Sequence, residues 1–181
     1  MLNKKNIWIL GGVTTGGSRL SSTEFITLDP ATPVNGPALP NALDNACAVK
    51  YNESHIYLTG GVSSGSSTND VWIYNSILDA GSSSWTEGPR MNNERGAHGC
   101  TILHYEKNSW VVVAGGSPSS ITGKSVEILD PNNNKWVQGE NTKKNIIFLS
   151  LEYKSKGEQN FFPVSTSQSA ISILLEIWSN D

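Results

Sequence analysis

Apolar residues along this chain come in short runs that alternate with polar positions or stop abruptly on glycine. "IWILGG" (Ile7–Gly12), "IYLTGG" (Ile56–Gly61) and "WVVVAGG" (Trp110–Gly116) all end on a glycine pair. Runs this short have strand length and predict β-strands rather than helices. Strands tolerate glycine poorly, so an ending that recurs three times marks an architectural unit. The pairs lie 49 residues apart (Gly11 to Gly60) and 55 apart (Gly60 to Gly115). Each is followed by a small-residue loop, "VTTGGSRLSS", "VSSGSSTN" or "SPSSITGK", and then by a strand that stops at a turn: "EFITLDP", "DVWIYN", "SVEILDP". Asp-Pro initiates turns, and proline cannot continue a ladder. Next stands a tryptophan with glycine three residues on, Trp85–Gly88 and Trp136–Gly139, whereas the first repeat has Pro33 and Gly36. "NACAV" and "HGCTI" open the following strand. Aligned on their cysteines, Cys47 falls on Cys100 and Asn45 on His98.

Each unit reads as four short strands in about fifty residues, an antiparallel sheet of blade size. These landmarks, together with Arg95 three residues before His98, closely resemble kelch repeats from about Ile7 to Gly139. The resemblance implies an all-β fold of kelch-type β-propeller blades, four-stranded and antiparallel, in an incomplete ring of about three to four. The chain divides into a partial blade over 7–36 that opens at a second strand, and full blades over 46–88 and 98–139. A degenerate fourth blade or C-terminal tail follows over 145–181. There "NIIFLSLEY" reads as an inner strand, "NFFPVST" as a second strand and "AISILLEIW" as a third. A ring takes about four to eight blades, so the chain reads as a piece of a larger propeller or a shortened gene product. The glycine pairs would permit tight backbone approach at positive φ, and each tryptophan would pack its blade against the next. Open strand edges and blade faces predict marginal stability or self-association.

Composition narrows the function classes. The 181 residues are 37% hydrophobic and 16% charged, with Gly and Ser filling the difference, which suits many short strands. A net charge of −3 gives no electrostatic case for nucleic acid or an anionic membrane. No apolar run has the length of a membrane span. The run Ile7–Leu10 is too short for a signal-peptide core, which favours an intracellular setting.

Candidate chemistry is sparse. "GVSSG" matches a nucleophile elbow around Ser63, but a strand follows where that motif requires a helix. "GVTTGGSR" (Gly12–Arg19) has half the spacing of a phosphate loop and lacks its Lys and its helix. His98 and Cys100 share a strand face. With both cysteines at matching positions of adjacent blades, they read as packing residues too far apart to bond. His55 and His104 lie at hairpin turns without ligand-spaced partners. Neither a cofactor nor a metal is expected. Asn52–Ser54 is an N-glycosylation tripeptide on a predicted turn, relevant only to a secreted protein.

What the resemblance implies is a non-catalytic protein–protein interaction module, with a substrate-recognition or scaffold role. Many similar proteins pair the propeller with a BTB domain, which this sequence lacks. Alternatives are the extracellular recognition domain of a larger receptor, or the remnant of a copper-bearing kelch enzyme resembling galactose oxidase. In an antiparallel blade, the second-to-third-strand loops and the blade-to-blade links share one face. That face should hold Arg19, Arg90, Arg95, Lys124, Lys143 and Lys144, opposed mainly by Asp44, Glu94 and Glu140, and would suit an acidic peptide or protein segment. Arg95 has a second reading, as a brace for its own loop. Asp79, Glu53, Glu106, Asp29 and Asp130 should gather on the opposite face.

Overall fold

A computed structural model of the chain describes residues 6–28, 31–76, 85–105, 107–119, 121–130, 132–143, 149–153 and 171–175. Blade 1 is the antiparallel sheet β1 (Asn6–Leu10), β2 (Thr23–Leu28) and β3 (Ala31–Asn35), in that order. Blade 2 contains β4 (Cys47–Lys50), β5 (His55–Thr59), β8 (Val71–Asn75) and β9 (Trp85–Glu87). A small hairpin, β6 (Val62–Ser63) and β7 (Ser66–Ser67), rises from its second-to-third-strand loop. Blade 3 runs β10 (Gly99–Tyr105), β11 (Asn108–Ala114), β12 (Val126–Asp130) and β13 (Lys135–Gln138). Among the described residues the helical content is one 3₁₀ turn, Thr122–Lys124. The sheets do not close into a ring. The fold is all-β and made of kelch-like blades, as the sequence pattern predicts.

The tail departs from that pattern. β14 (Leu149–Tyr153) and β15 (Ile171–Leu175) pair directly and in parallel, in register Leu149↔Ile171, whereas an antiparallel blade would hold a strand between them. The expected second strand, "NFFPVST", lies outside the described residues.

The glycine pairs are pinched between consecutive links. Gly11 and Gly60 have φ of +60° and +55°, and a Cβ on either would lie 2.4 Å from Leu43 O or 2.3 Å from Arg95 O in the following link. The next residue hydrogen-bonds the same carbonyl: Gly12 N–H to Leu43 O and Gly61 N–H to Arg95 O, both 2.8 Å. The second glycine abuts the preceding link, since a Cβ on Gly61 would meet Asp44 O at 2.8 Å and one on Gly116 would meet Gly96 O at 2.7 Å. Gly12 has open space at the same place, with no described residue within 4 Å of a Cβ built on it. Backbone packed that closely, at positive φ, leaves glycine as the unstrained choice.

Strand alternation sends each blade's two faces to different neighbours. From blade 2, Leu58, Trp72, Tyr74 and Trp85 face blade 1, where they join Leu39, Leu43, Trp8 and Leu10. Cys47, Val49, Tyr57, Val71 and Ile73 face blade 3, against Cys100, Ile102, Val111, Val113, Leu129 and Trp136. The core therefore consists of two interblade layers, and each fully buried large side chain in them contributes about 1.5–3 kcal/mol. Each tryptophan packs against the preceding blade, not the next one as the sequence suggested. Trp85 Nε1 donates to Pro37 O (3.3 Å) and Trp136 Nε1 to Pro89 O (2.7 Å), so both reach back to the Gly-Pro link of the blade before. Pro33 sits opposite Ile26 in the position these tryptophans occupy.

The cysteine alignment is corrected by strand register. Cys47 pairs with Thr59, whereas Gly99, not Cys100, pairs with the equivalent Ala114. Ala46 thus corresponds to His98, and Ala48 to Cys100. One residue along a strand reverses the face, so Cys47 points forward to blade 3 and Cys100 points back to blade 2. Their Cα atoms are 5.9 Å apart and they form a disulfide. The expectation of two unbonded packing cysteines fails because the two positions are not equivalent.

Candidate functional site

Backbone hydrogen bonds lace the second-to-third-strand loops and the blade links into one continuous face. Link residues Leu39, Leu43, Met91, Arg95 and Thr142 donate to Ser21, Leu20, Asn69, Thr68 and Lys124 carbonyls, at 2.7–3.1 Å. The same pattern holds at all three links, because every blade leaves its outer strand through a glycine: Gly36, Gly88 or Gly139. The exposed rim of this face is built largely from Ser, Thr, Gly and Asn on a rigid sheet frame.

The six cations placed on this face meet different fates. Arg95 is a correction: it is fully buried and unavailable to a partner. Its Nη1 donates to Gly115 O (2.7 Å), and its Nη2 to Ser125 Oγ (2.7 Å) and to the Glu127 carboxylate. Glu127 in turn accepts from the Asn92 N–H (2.6 Å), the Asn93 N–H (3.1 Å) and Asn93 Nδ2 (3.0 Å). Burial pulls the Arg95 pKa below its ordinary value, and Glu127 works against that shift. The group is a structural clasp, the brace of the second reading.

Arg19 and Arg90 lie at the surface but are already engaged. Arg19 bonds Asp44 at 2.7 Å, while Arg90 bonds Asp70 at 2.6 Å and Glu87 at 2.9 Å. Lys124 and Lys143 are exposed and form no ion pair with the described residues. The Thr142–Lys124 backbone bond brings them to one corner of blade 3. Lys144 lies outside the described residues, as do Asp29, Asp79 and Glu106, which the sequence pattern assigns to the opposite face. The β4–β5 and β10–β11 hairpin turns, with Glu53 bound to Lys50 at 2.9 Å, do lie at the other end of their strands.

Nothing catalytic assembles around the other candidates. Ser63 lies in β6 and is followed by a hairpin, so the helix its motif requires is absent. The Gly12–Arg19 loop folds back on itself through a Thr14 N–H bond to Ser18 O (2.9 Å). His98 is buried; its Nε2 lies 2.8 Å from Thr59 Oγ1, whose own proton goes to Cys47 O (3.2 Å). Burial, with Arg95 adding to it, holds the His98 pKa down at about 3. Burial likewise raises the pKa of the Tyr57 phenol, with Tyr51 contributing. Among the described residues, no three His, Cys, Asp or Glu side chains are grouped to hold a metal ion.

Between blades 1 and 2 lies an open pocket of about 230 Å³, lined by Trp8, Leu10, Leu43, Asn45, Ala46 and Ala48 among others, with Asn45 and Ala48 exposed. At the matching place between blades 2 and 3 stand the buried His98 and Cys100, with Cys47 of β4 bonded across the interface. Sequence reasoning missed this difference between the two interfaces. Counting from the glycines would have found the offset of the two cysteines, since Cys47 lies eleven residues after Gly36 and Gly99 lies eleven after Gly88.

Residues 47–92 match a family model described as the kelch motif. The chain carries a kelch motif. The matched span begins at the first residue of β4 and ends in the link that follows the Gly88 exit, so it covers one blade as the structure draws it. Kelch repeats typically mediate protein–protein interaction. No curated protein matches the chain. No helix among the described residues is long and apolar enough to cross a membrane.

Proposed function

We propose that the chain is a non-catalytic protein-interaction module, a piece of a larger kelch propeller that engages a partner through its loop face. The observation that supports this is the lacing of loops and links into one rigid, polar face. Fixed backbone there presents exposed side chains without an ordering cost at the moment of binding. An acidic segment of the partner would meet the corner formed by Lys124 and Lys143, because Arg19, Arg90 and Arg95 are satisfied within the chain. A second reading, the extracellular recognition domain of a larger receptor, is favoured by the disulfide.

The test is a charge reversal, Lys124→Glu with Lys143→Glu, in a pull-down beside a control reversal of the exposed Lys107 in the β10–β11 turn. Loss of partners with the pair and retention with the control is the expected result. Equal recovery from both would overturn the basic corner, and equal recovery after multiple loop-face substitutions would overturn the face itself.

A further inference from the structure

The turn between β4 and β5 carries Asn52-Glu53-Ser54, the one Asn-x-Ser/Thr tripeptide in the sequence. Asn52 and Glu53 are exposed at its tip. Asn52 Oδ1 accepts the Ser54 N–H (2.9 Å) and the His55 N–H (2.8 Å), and Ser54 Oγ lies 3.0 Å from the same oxygen. The carboxamide is thereby held with its oxygen turned inward, and Nδ2 makes no hydrogen bond among the described residues. A tripeptide of this kind means little alone. The second, independent observation lies five residues upstream, where Cys47 is bonded to Cys100 across the interface of blades 2 and 3. These are the only cysteines in the chain, so no thiol remains free. Stable disulfides belong to oxidising compartments, and those are where Asn-x-Ser/Thr tripeptides are modified.

We propose that Asn52 is an N-glycosylation site, on a chain that matures in an oxidising secretory compartment. In the transfer, Asn52 Nδ2 forms a bond to the anomeric carbon of an oligosaccharide carried on a lipid pyrophosphate. The carbon–oxygen bond to that phosphate breaks, the lipid pyrophosphate leaves with the electron pair, and one amide proton passes to a base. The disulfide forms separately. The two thiols give up two electrons and two protons to the disulfide of an oxidoreductase, which becomes a dithiol. The glycan would project from the hairpin end of blade 2, opposite the loop face, and so leave that face clear. This setting runs against the intracellular one suggested by the N-terminal sequence, and it stands whether or not the loop face binds a partner.

The test expresses the full chain behind a secretion leader in eukaryotic cells, beside Asn52→Gln and Ser54→Ala. Both secreted and cell-retained material are digested without reductant and examined by mass spectrometry. The expected result is a glycan on the Asn52 peptide, removed by peptide N-glycosidase and missing from both variants, with Cys47 and Cys100 recovered as one cross-linked peptide. An unmodified Asn52 in chain that has formed the disulfide would overturn the site. A glycosylated chain with both thiols free would overturn the compartment argument.

Discussion

The two interblade layers occupy matching positions of one repeat, yet they are held by different chemistry. Between blades 1 and 2 the contacts are apolar and aromatic. Trp8 stacks on Phe25 (4.6 Å) and meets the Tyr74 and Trp85 rings at 4.6 and 5.6 Å, while Leu43 packs in the same cluster as Trp72. Between blades 2 and 3, Arg95 stands where Leu43 stands, and Glu127 where Trp72 stands. His98 replaces Ala46, and a disulfide crosses the gap. The blade geometry therefore does not dictate the interface chemistry. It fixes the backbone by glycine and link, and then accepts either a greasy or a charged filling. The charged one is hydrogen-bonded at most of its polar atoms, with Arg95 Nε and His98 Nδ1 making no hydrogen bond among the described residues.

The largest expected effect is on what the layers share. Trp85→Ala and Trp136→Ala should each cost about 3–5 kcal/mol, measured by chemical denaturation. Pro33→Trp should gain nothing in this chain, because no preceding link lies beside blade 1 among the described residues for an indole to grip. A stabilised Pro33→Trp variant would contradict the directional role given to these residues. Reduction of the disulfide, or Cys47→Ala with Cys100→Ala, should cost about 2–4 kcal/mol, since the bridge closes a long loop in the unfolded chain. Hydrogen exchange should then rise first in β4 and β10. Exchange rising first in β1 and β2 would place the weakness in the other layer.

The pH response should also belong to the second layer alone. The folded chain holds His98 neutral down to about pH 3, whereas the unfolded chain takes up that proton near pH 6.5. This contribution is complete above pH 6.5 and falls away as the pH drops toward 3, so passing from pH 7 to pH 5 should cost about 2 kcal/mol. His98→Ala, which installs the residue found at the matching position 46, should flatten that slope in urea melts at the two pH values. An unchanged slope would move the effect to other groups. The smallest effect is at Ala48, which is exposed at the open pocket between blades 1 and 2. Ala48→Val should change stability by no more than about 0.5 kcal/mol, whereas a larger gain would mean that the pocket closes around the added methyl groups.

Most of the blade architecture was legible in the sequence because its signals are local. Glycine pairs and period-two apolar runs each act within a few residues, and the structure places them as read. The interface chemistry was not legible, for reasons particular to each residue. Cys47 and Cys100 look equivalent by motif, and a one-residue slip reverses the face on which a side chain emerges. Glu127 is a lone charge within the strand "SVEILDP", and nothing next to it in sequence announces that the Asn92–Asn93 link bonds and buries it. Arg95 reads equally well as a loop cation or a brace, and the choice depends on Glu127, which is distant in sequence. Arg19 and Arg90 read as cations of the loop face, but their carboxylate partners Asp44 and Asp70 come from other loops that only the fold brings near.

The most direct test of interchangeable layers is a double-mutant cycle at Arg95 and Glu127. Arg95→Leu alone leaves a buried carboxylate without its cation, and Glu127→Leu alone leaves a buried guanidinium without its anion. Each should lose about 3–5 kcal/mol by equilibrium denaturation. Combined, the two substitutions copy the apolar filling that Leu43 and Trp72 already provide one blade earlier. The double variant should therefore lose clearly less than the sum of the two single effects, with a residual cost for the Asn92 and Asn93 N–H groups and Gly115 O that it leaves without partners. A double variant that loses the sum of the two single effects would show that the second layer requires its charges, and would contradict the account.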